Sequence, residues 1–153
     1  MSPLRPTAIA VYVYRLTQGG WEFLQLHRTS SAYGRTWQTV YGGIEANETA
    51  VAAAIRELKE ETGLVPRRMF QVEYLESFYF RASDSITLMP VFGVEVNQSD
   101  PIALNAEHDE FRWVPELQVN GLFMWRTQRE AIRILLEMMR EGGAAMKALT
   151  IEA

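Results

Sequence analysis

Between Gly42 and Leu64 the chain reads Gly42, five residues, Glu48, seven residues, and then Arg56-Glu57-Leu58-Lys59-Glu60-Glu61-Thr62-Gly63-Leu64. The stretch predicts a helix of about four turns. Its expected start is near Asn47, a residue type that caps N-termini, with Glu48 in the first turn where the helix dipole favours an anion; its expected stop is Gly63. With Glu57 at zero and ~100° per residue, Glu60 falls near about −60° and Glu61 near about +40°, on one arc with Ala50, Ala53 and Ala54. Val51, Ile55 and Leu58 fall on a separate arc and predict the core-facing stripe. On this reading the acidic face is not needed for packing.

That face breaks two local rules. Like charges at i, i+3 and i+4 repel, and carboxylates in a last turn oppose the dipole. Local violations of this kind mark functional sites. A hard divalent cation such as Mg²⁺ relieves the repulsion, because it takes oxygen ligands and shares its shell with water and phosphates. Arg56 stands one turn before Glu60, so an i,i+4 ion pair and a role in orienting that carboxylate are both expected of it. Taken alone, Arg56 to Glu61 reads as an ordinary solvated helix surface, since glutamate and lysine are good helix formers. The full spacing decides against that, since a chance match costs roughly one in a billion per starting position.

The whole pattern resembles the Nudix box. The resemblance implies an α/β fold, an α/β/α sandwich with a mixed β-sheet, and a metal-dependent hydrolase of the diphosphate linkage in a nucleoside diphosphate attached to another group, or a similar compound. It also implies metal-binding glutamates at Glu57, Glu60 and Glu61, Arg56 beside them, and Mg²⁺ as the cofactor with Mn²⁺ as a possible substitute. Many Nudix proteins carry Pro-Gly ahead of the box glycine, whereas this chain has Val40-Tyr41. The backbone carbonyl of Tyr41 is then the implied main-chain metal ligand.

The rest of the chain sets the frame. Its 153 residues, 48% of them hydrophobic, suit one domain with a real core, expected over residues 1–143, with 144–153 as a possible flexible tail. The net charge of −4 argues against a broad nucleic-acid surface. Zero cysteines remove disulfides and thiolate chemistry. No secretory leader pattern and no apolar run of membrane length is seen, so a cytoplasmic protein with no membrane partner is expected. Strands are expected at Thr7 to Tyr14, Trp21 to His27, Trp37 to Tyr41, Phe70 to Phe80, Ile86 to Val96 and Phe111 to Val114, with loops over Thr29 to Arg35 and Asn97 to Glu110 and a helix over Trp125 to Arg140.

Outside the box, Arg5-Pro6, Trp37-Gln38 with Val40, Glu107-His108 before Trp113, and Arg126 with Gln128 through Ile132 are similar to the bacterial dihydroneopterin triphosphate pyrophosphohydrolases, also described as dATP pyrophosphohydrolases. By position Glu107 matches a loop glutamate that serves as catalytic base or extra metal ligand. His27 and His108 read as packing or solvated residues. Arg28, after an early strand, could hold a phosphate through its planar fork or make a surface ion pair. Trp37, Phe78, Tyr79 and Phe80 are stacking candidates or core, and no ring-binding residue is assigned. The implied reaction is hydrolysis of a small-molecule triphosphate, dihydroneopterin triphosphate or a nucleoside triphosphate such as dATP, to monophosphate and pyrophosphate. The rivals are a hydrolase of dinucleoside polyphosphates or nucleotide sugars, and a nucleotide sensor without turnover. Oligomeric state is left open.

Overall fold

The structure is a computed structural model that describes residues 3–30 and 33–152. Two positions of the expected loop over Thr29 to Arg35, and the last residue of the expected tail, therefore lie outside the described residues.

The first strand, β1 (Ala8–Thr17), explains the layering. Its side chains alternate, as a strand's must. Ile9, Val11 and Val13 join one buried cluster, while Ala10, Tyr12 and Tyr14 join a second on the opposite face. A strand buried on both faces needs helices on both sides. α1 (Ala50–Thr62) covers the first face and α3 (Arg126–Glu141), with α4 (Gly143–Leu149), covers the second.

The other strands are β2 (Gly20–Arg28), β3 (Trp37–Gln38), β4 (Val40–Gly43), β5 (Arg68–Phe80), β6 (Ser85–Glu95), β7 (His108–Pro115) and β8 (Thr150–Ile151). The sheet runs β3-β2-β1-β6-β5-β8, with β4 paired to β1 and β7 paired to β2. β1 is parallel to β6 and antiparallel to β2 and β4, so the sheet is mixed. Together with the four α-helices among the described residues this is the expected α/β/α sandwich. β4 pairs with the first half of β1 and β2 with the second half. That divergence leaves β4 free to lead its glycines under the box helix.

Several expectations change in detail. The segment expected as one strand from Trp37 to Tyr41 is two, interrupted at Thr39, whose hydroxyl donates to the Val11 carbonyl. β7 begins at His108, which shortens the expected polar loop. After β7 comes a 3-10 turn, Glu116–Gln118, and a one-turn α2 (Val119–Leu122). In the segment expected as a possible tail, α4 buries Met146 and β8 pairs with β5 through Met69 and Phe70.

The start of α1 is also corrected. Its N-cap is Thr49, whose Oγ1 accepts from Ala52 N at 3.1 Å, while Asn47 adopts a left-handed conformation with φ 63°. Glu48 therefore precedes the helix. Its Oε1 accepts from the Glu45 N–H at 3.0 Å. The expected stop holds, with Gly63 left-handed at φ 75° and its N–H bonded to the Lys59 carbonyl. The buried face corrects the stripe: Ala53, Ala54, Leu58 and Glu61 go inward, while Val51 and Ile55 are half-buried. Alanines let the helix lie close to the sheet, and that brings an acidic residue into the packed interface.

Candidate active site

The close approach is sharpest at Gly42. A Cβ built there would lie 2.2 Å from Cγ and Cδ of Glu57, so only glycine fits while Glu57 keeps its place. The box glycine thus makes the cradle for the first carboxylate. Tyr41, the implied backbone ligand, is the residue immediately before it on β4.

Arg56 organises the carboxylates on the open side. Its Nε and Nη2 bond the two oxygens of Glu48 at 2.8 and 2.9 Å, and Nη2 also donates to the Gly43 carbonyl at 2.9 Å. Nη1 donates to Glu57 Oε1 at 2.9 Å and Glu60 Oε2 at 3.2 Å. The bidentate grip lowers the Glu48 carboxyl to about 2, first through the Arg56 hydrogen bonds and then through the Glu45 backbone N–H. The expected Arg56–Glu60 pair is one strand of a wider network.

Glu61 is different. It is 1% exposed, and its Oε2 has no hydrogen-bond partner. Burial, followed by the charges of Glu57 and Glu107, pushes its carboxyl up to about 8. Burial also raises Glu57, against the lowering effect of Arg56. An orphaned buried carboxylate oxygen beside two further carboxylates is costly unless a cation meets it. These oxygen donors suit a hard divalent ion, so the residues present fit the metal that the sequence implies.

Glu107 lies on the loop before β7, where Asn105 Nδ2 donates to its Oε2 at 3.2 Å and the Thr29 N–H holds its carbonyl at 3.0 Å. Its charge reaches both Glu57 and Glu61, although it is distant from them in sequence. Arg28, at the end of β2, opposes them: its positive charge lowers the Glu61 carboxyl. The fold therefore gathers Glu57, Glu60, Glu61, Glu107, Arg56 and Arg28 into one electrostatic neighbourhood. His108 is buried with Nδ1 unpartnered, and burial first, then Arg28, lowers its pKa. Elsewhere, ligand atoms of His27, Asp109 and Glu110 lie within 4.8 Å of one another, and both oxygens of Asp109 already have protein partners. His27 Nδ1 stands 2.6 Å from Asp109 Oδ1, and Arg35 bonds the other oxygen.

Arg28 also lines a cavity of about 380 Å³ on the α3 face of the sheet. Its aromatic walls are Tyr33, Phe78, Phe80 and Trp125. Of the stacking candidates, Phe78 and Phe80 line it. Tyr79 points away and is exposed, and Trp37 packs under Arg112, whose guanidinium is 4.1 Å from the ring centroid. The cavity contains Glu76, which sequence reasoning missed. The signal was present: Val72, Tyr74, Glu76, Phe78 and Phe80 share one face of β5, so the alternation sets a carboxylate into a row that is otherwise aliphatic and aromatic.

Comparison with known proteins bears on the fold and the family. A family model for the NUDIX domain matches residues 4–135. An octanoyltransferase of Myxococcus xanthus is 36% identical over 115 residues, which are 73% of this chain but only 31% of that protein's length. The asymmetrical bis(5'-nucleosyl)-tetraphosphatase of Caenorhabditis elegans is 25% identical over 107 residues, 69% of this chain and 76% of that one. Among solved structures, a NUDIX hydrolase of Listeria monocytogenes superposes with TM-score 0.75 at 26% identity, covering 90% of this chain and 96% of its own. The dihydroneopterin triphosphate pyrophosphohydrolase of E. coli shares the fold at TM-score 0.70 and 24% identity, over 84% of this chain and 92% of its own. No helix among the described residues is long and apolar enough to cross a membrane.

Proposed function

The chain belongs to the NUDIX family, and from that premise we propose that it is a divalent-metal-dependent hydrolase of phosphoanhydride bonds that cuts an organic triphosphate to its monophosphate and pyrophosphate. The observation that carries the reading is Glu61, a buried carboxylate with an unpartnered oxygen beside Glu57 and within reach of Glu107. Glu57, Glu60, Glu61 and the Tyr41 carbonyl would hold Mg²⁺, with Mn²⁺ as a substitute. The bound ion supplies charge neutralisation at the phosphates and a more acidic water.

The chain's own groups do the rest. Arg56 fixes Glu57 and Glu60 in place, so little reorganisation is needed when substrate arrives. Arg28 lines the cavity, its charge acts on Glu61, and it is assigned to pair with the phosphate chain. Glu107, exposed and held by Asn105, is assigned to take the proton of the attacking water. The elements of water are then added across the bond between the first and second phosphates, with no covalent intermediate on the protein.

The substrate we favour is dihydroneopterin triphosphate, on the motifs at Trp37-Gln38, Val40, Glu107-His108 and Gln128 to Ile132. The similarity to the nematode tetraphosphatase supports a second reading, hydrolysis of a dinucleoside polyphosphate. A Mg²⁺-dependent panel of that pterin, nucleoside triphosphates, dinucleoside polyphosphates and nucleotide sugars, with products identified by mass, separates them. The pterin is expected to give the highest kcat/KM and to release pyrophosphate. Preference for a dinucleotide, or orthophosphate as product, would overturn the substrate assignment.

A further inference from the structure

Within the aromatic cavity lies a carboxylate that the hydrolytic chemistry does not use. Glu76 is 3% exposed, and no cation pairs with it among the described residues. Its Oε1 accepts from the Tyr12 hydroxyl and its Oε2 from the Tyr41 hydroxyl. Gln128 Nε2 donates to the Tyr41 hydroxyl at 3.0 Å and so fixes the direction in which that tyrosine donates. A carboxylate has about four acceptor positions, so one on each oxygen remains. Two donors side by side would satisfy both.

The walls specify what carries those donors. Phe78 and Trp125 meet edge-on with ring centroids 5.3 Å apart, and Tyr33 meets Trp125 at 5.2 Å, so these side chains pack on one another as a single aromatic wall against which a planar ring can lie. The volume of about 380 Å³ is in the range of small-molecule sites.

We propose that Glu76 reads the substrate ring, accepting a ring N–H and the neighbouring exocyclic amino group of a 2-amino-4-oxopyrimidine edge, as guanine presents. The inference rests on the hydrolase reading for what that ring is attached to. Adenine and cytosine place an amino donor beside a ring acceptor, and uracil flanks its N–H with carbonyls. Each of them sets a lone pair against the carboxylate. The site discriminates because a mismatched ring leaves a buried charge unpaired. Glu76 is thus a specificity-determining residue, and Tyr12, Tyr41 and Gln128 are positioning residues that aim it.

The test is calorimetric binding of GMP, IMP and AMP to the full chain in Mg²⁺, repeated with Glu76→Gln. GMP is expected to bind at least about tenfold more tightly than AMP, with IMP between them because it keeps the N–H and lacks the amino group. Glu76→Gln is expected to weaken GMP by about tenfold or more and so narrow the ratio between rings, which a merely loosened fold does not do. If that variant does not fold, the wild-type series decides by itself. Equal affinity for GMP and AMP, equal affinity for GMP and IMP, or no binding of any of them overturns the proposal. Turnover separates it from the hydrolase reading. Pyrophosphate release from GTP and ATP without ring preference overturns the Glu76 assignment alone, whereas ring-selective binding with no hydrolysis of any phosphoanhydride overturns the hydrolase reading alone.

Discussion

At the scale of single residues, the carboxylates divide by what holds them. Glu48 and Glu60 are satisfied by Arg56, whereas Glu61 is buried with an oxygen unmet. If a cation is what Glu57 and Glu61 serve, Glu57→Gln and Glu61→Gln should each reduce turnover by at least ~10²-fold with an unchanged circular dichroism spectrum. Near-normal rates in either variant would remove that residue from the metal site. The same burial makes a stability prediction for the metal-free protein. The folded Glu61 carboxyl is raised to about 8 from 4.5, so between those values the folded state keeps a proton that the unfolded chain releases. The group imposes no penalty below about 4.5, and its penalty grows as pH rises to about 8, reaching a few kcal/mol. In chelator, Glu61→Gln should therefore be more stable than wild type at pH 8 and nearly equal to it at pH 4.5, by denaturant titration at each pH. Taking the difference between the two proteins cancels the opposing effect of buried His108.

At the scale of elements, the box is a strand, a cap and a helix pressed together. The sequence made the helix legible, because a carboxylate face and a terminal glycine need only 3.6-residue periodicity to be seen. Its burial was not legible: the choice between the alanine arc and the Val51, Ile55 and Leu58 arc depends on what the sheet offers, and β4 offers glycines. The N-cap was misplaced because Asn47 and Thr49 are both capping types and only the left-handed turn at Asn47 separates them. The alternation of β5 placed Glu76 on the apolar face, but a glutamate in a strand is ordinarily solvated, and its burial depends on the hydroxyls of Tyr12 and Tyr41, which are far away in sequence. The two glycines of β4 test the packing argument. Gly42→Ala should displace Glu57 and lower kcat/KM by about tenfold or more. Gly43→Ala should stay within about twofold, because a Cβ there meets nothing closer than the Thr7 carbonyl at 3.9 Å. Equal effects at both positions would show that the Gly42–Glu57 contact does not govern the site.

At the scale of the whole molecule, one sheet separates two kinds of environment. The box helix and its carboxylates lie on one face, the aromatic cavity lies toward the other, and Arg28 at the end of β2 belongs to both. The fold therefore holds several negative charges close together at a cost that core packing must offset, and a ligand that relieves the cost should stabilise the entire domain. Anything that binds only the folded state adds RT ln(1 + [L]/Kd), about 2.7 kcal/mol when the ligand is at 100 times its Kd. For a domain of this size each kcal/mol moves Tm by roughly 2–4 °C. Saturating Mg²⁺ should thus raise Tm by at least about 5 °C over the protein in chelator, with Mn²⁺ acting similarly. In Glu61→Gln the metal-free Tm should start higher and the increment on adding Mg²⁺ should largely vanish, because the substitution relieves the same repulsion that the ion would. A calorimetric scan of both proteins, each with chelator and with each ion, makes the comparison. An undiminished increment in the variant would place the stabilising ion somewhere other than Glu61.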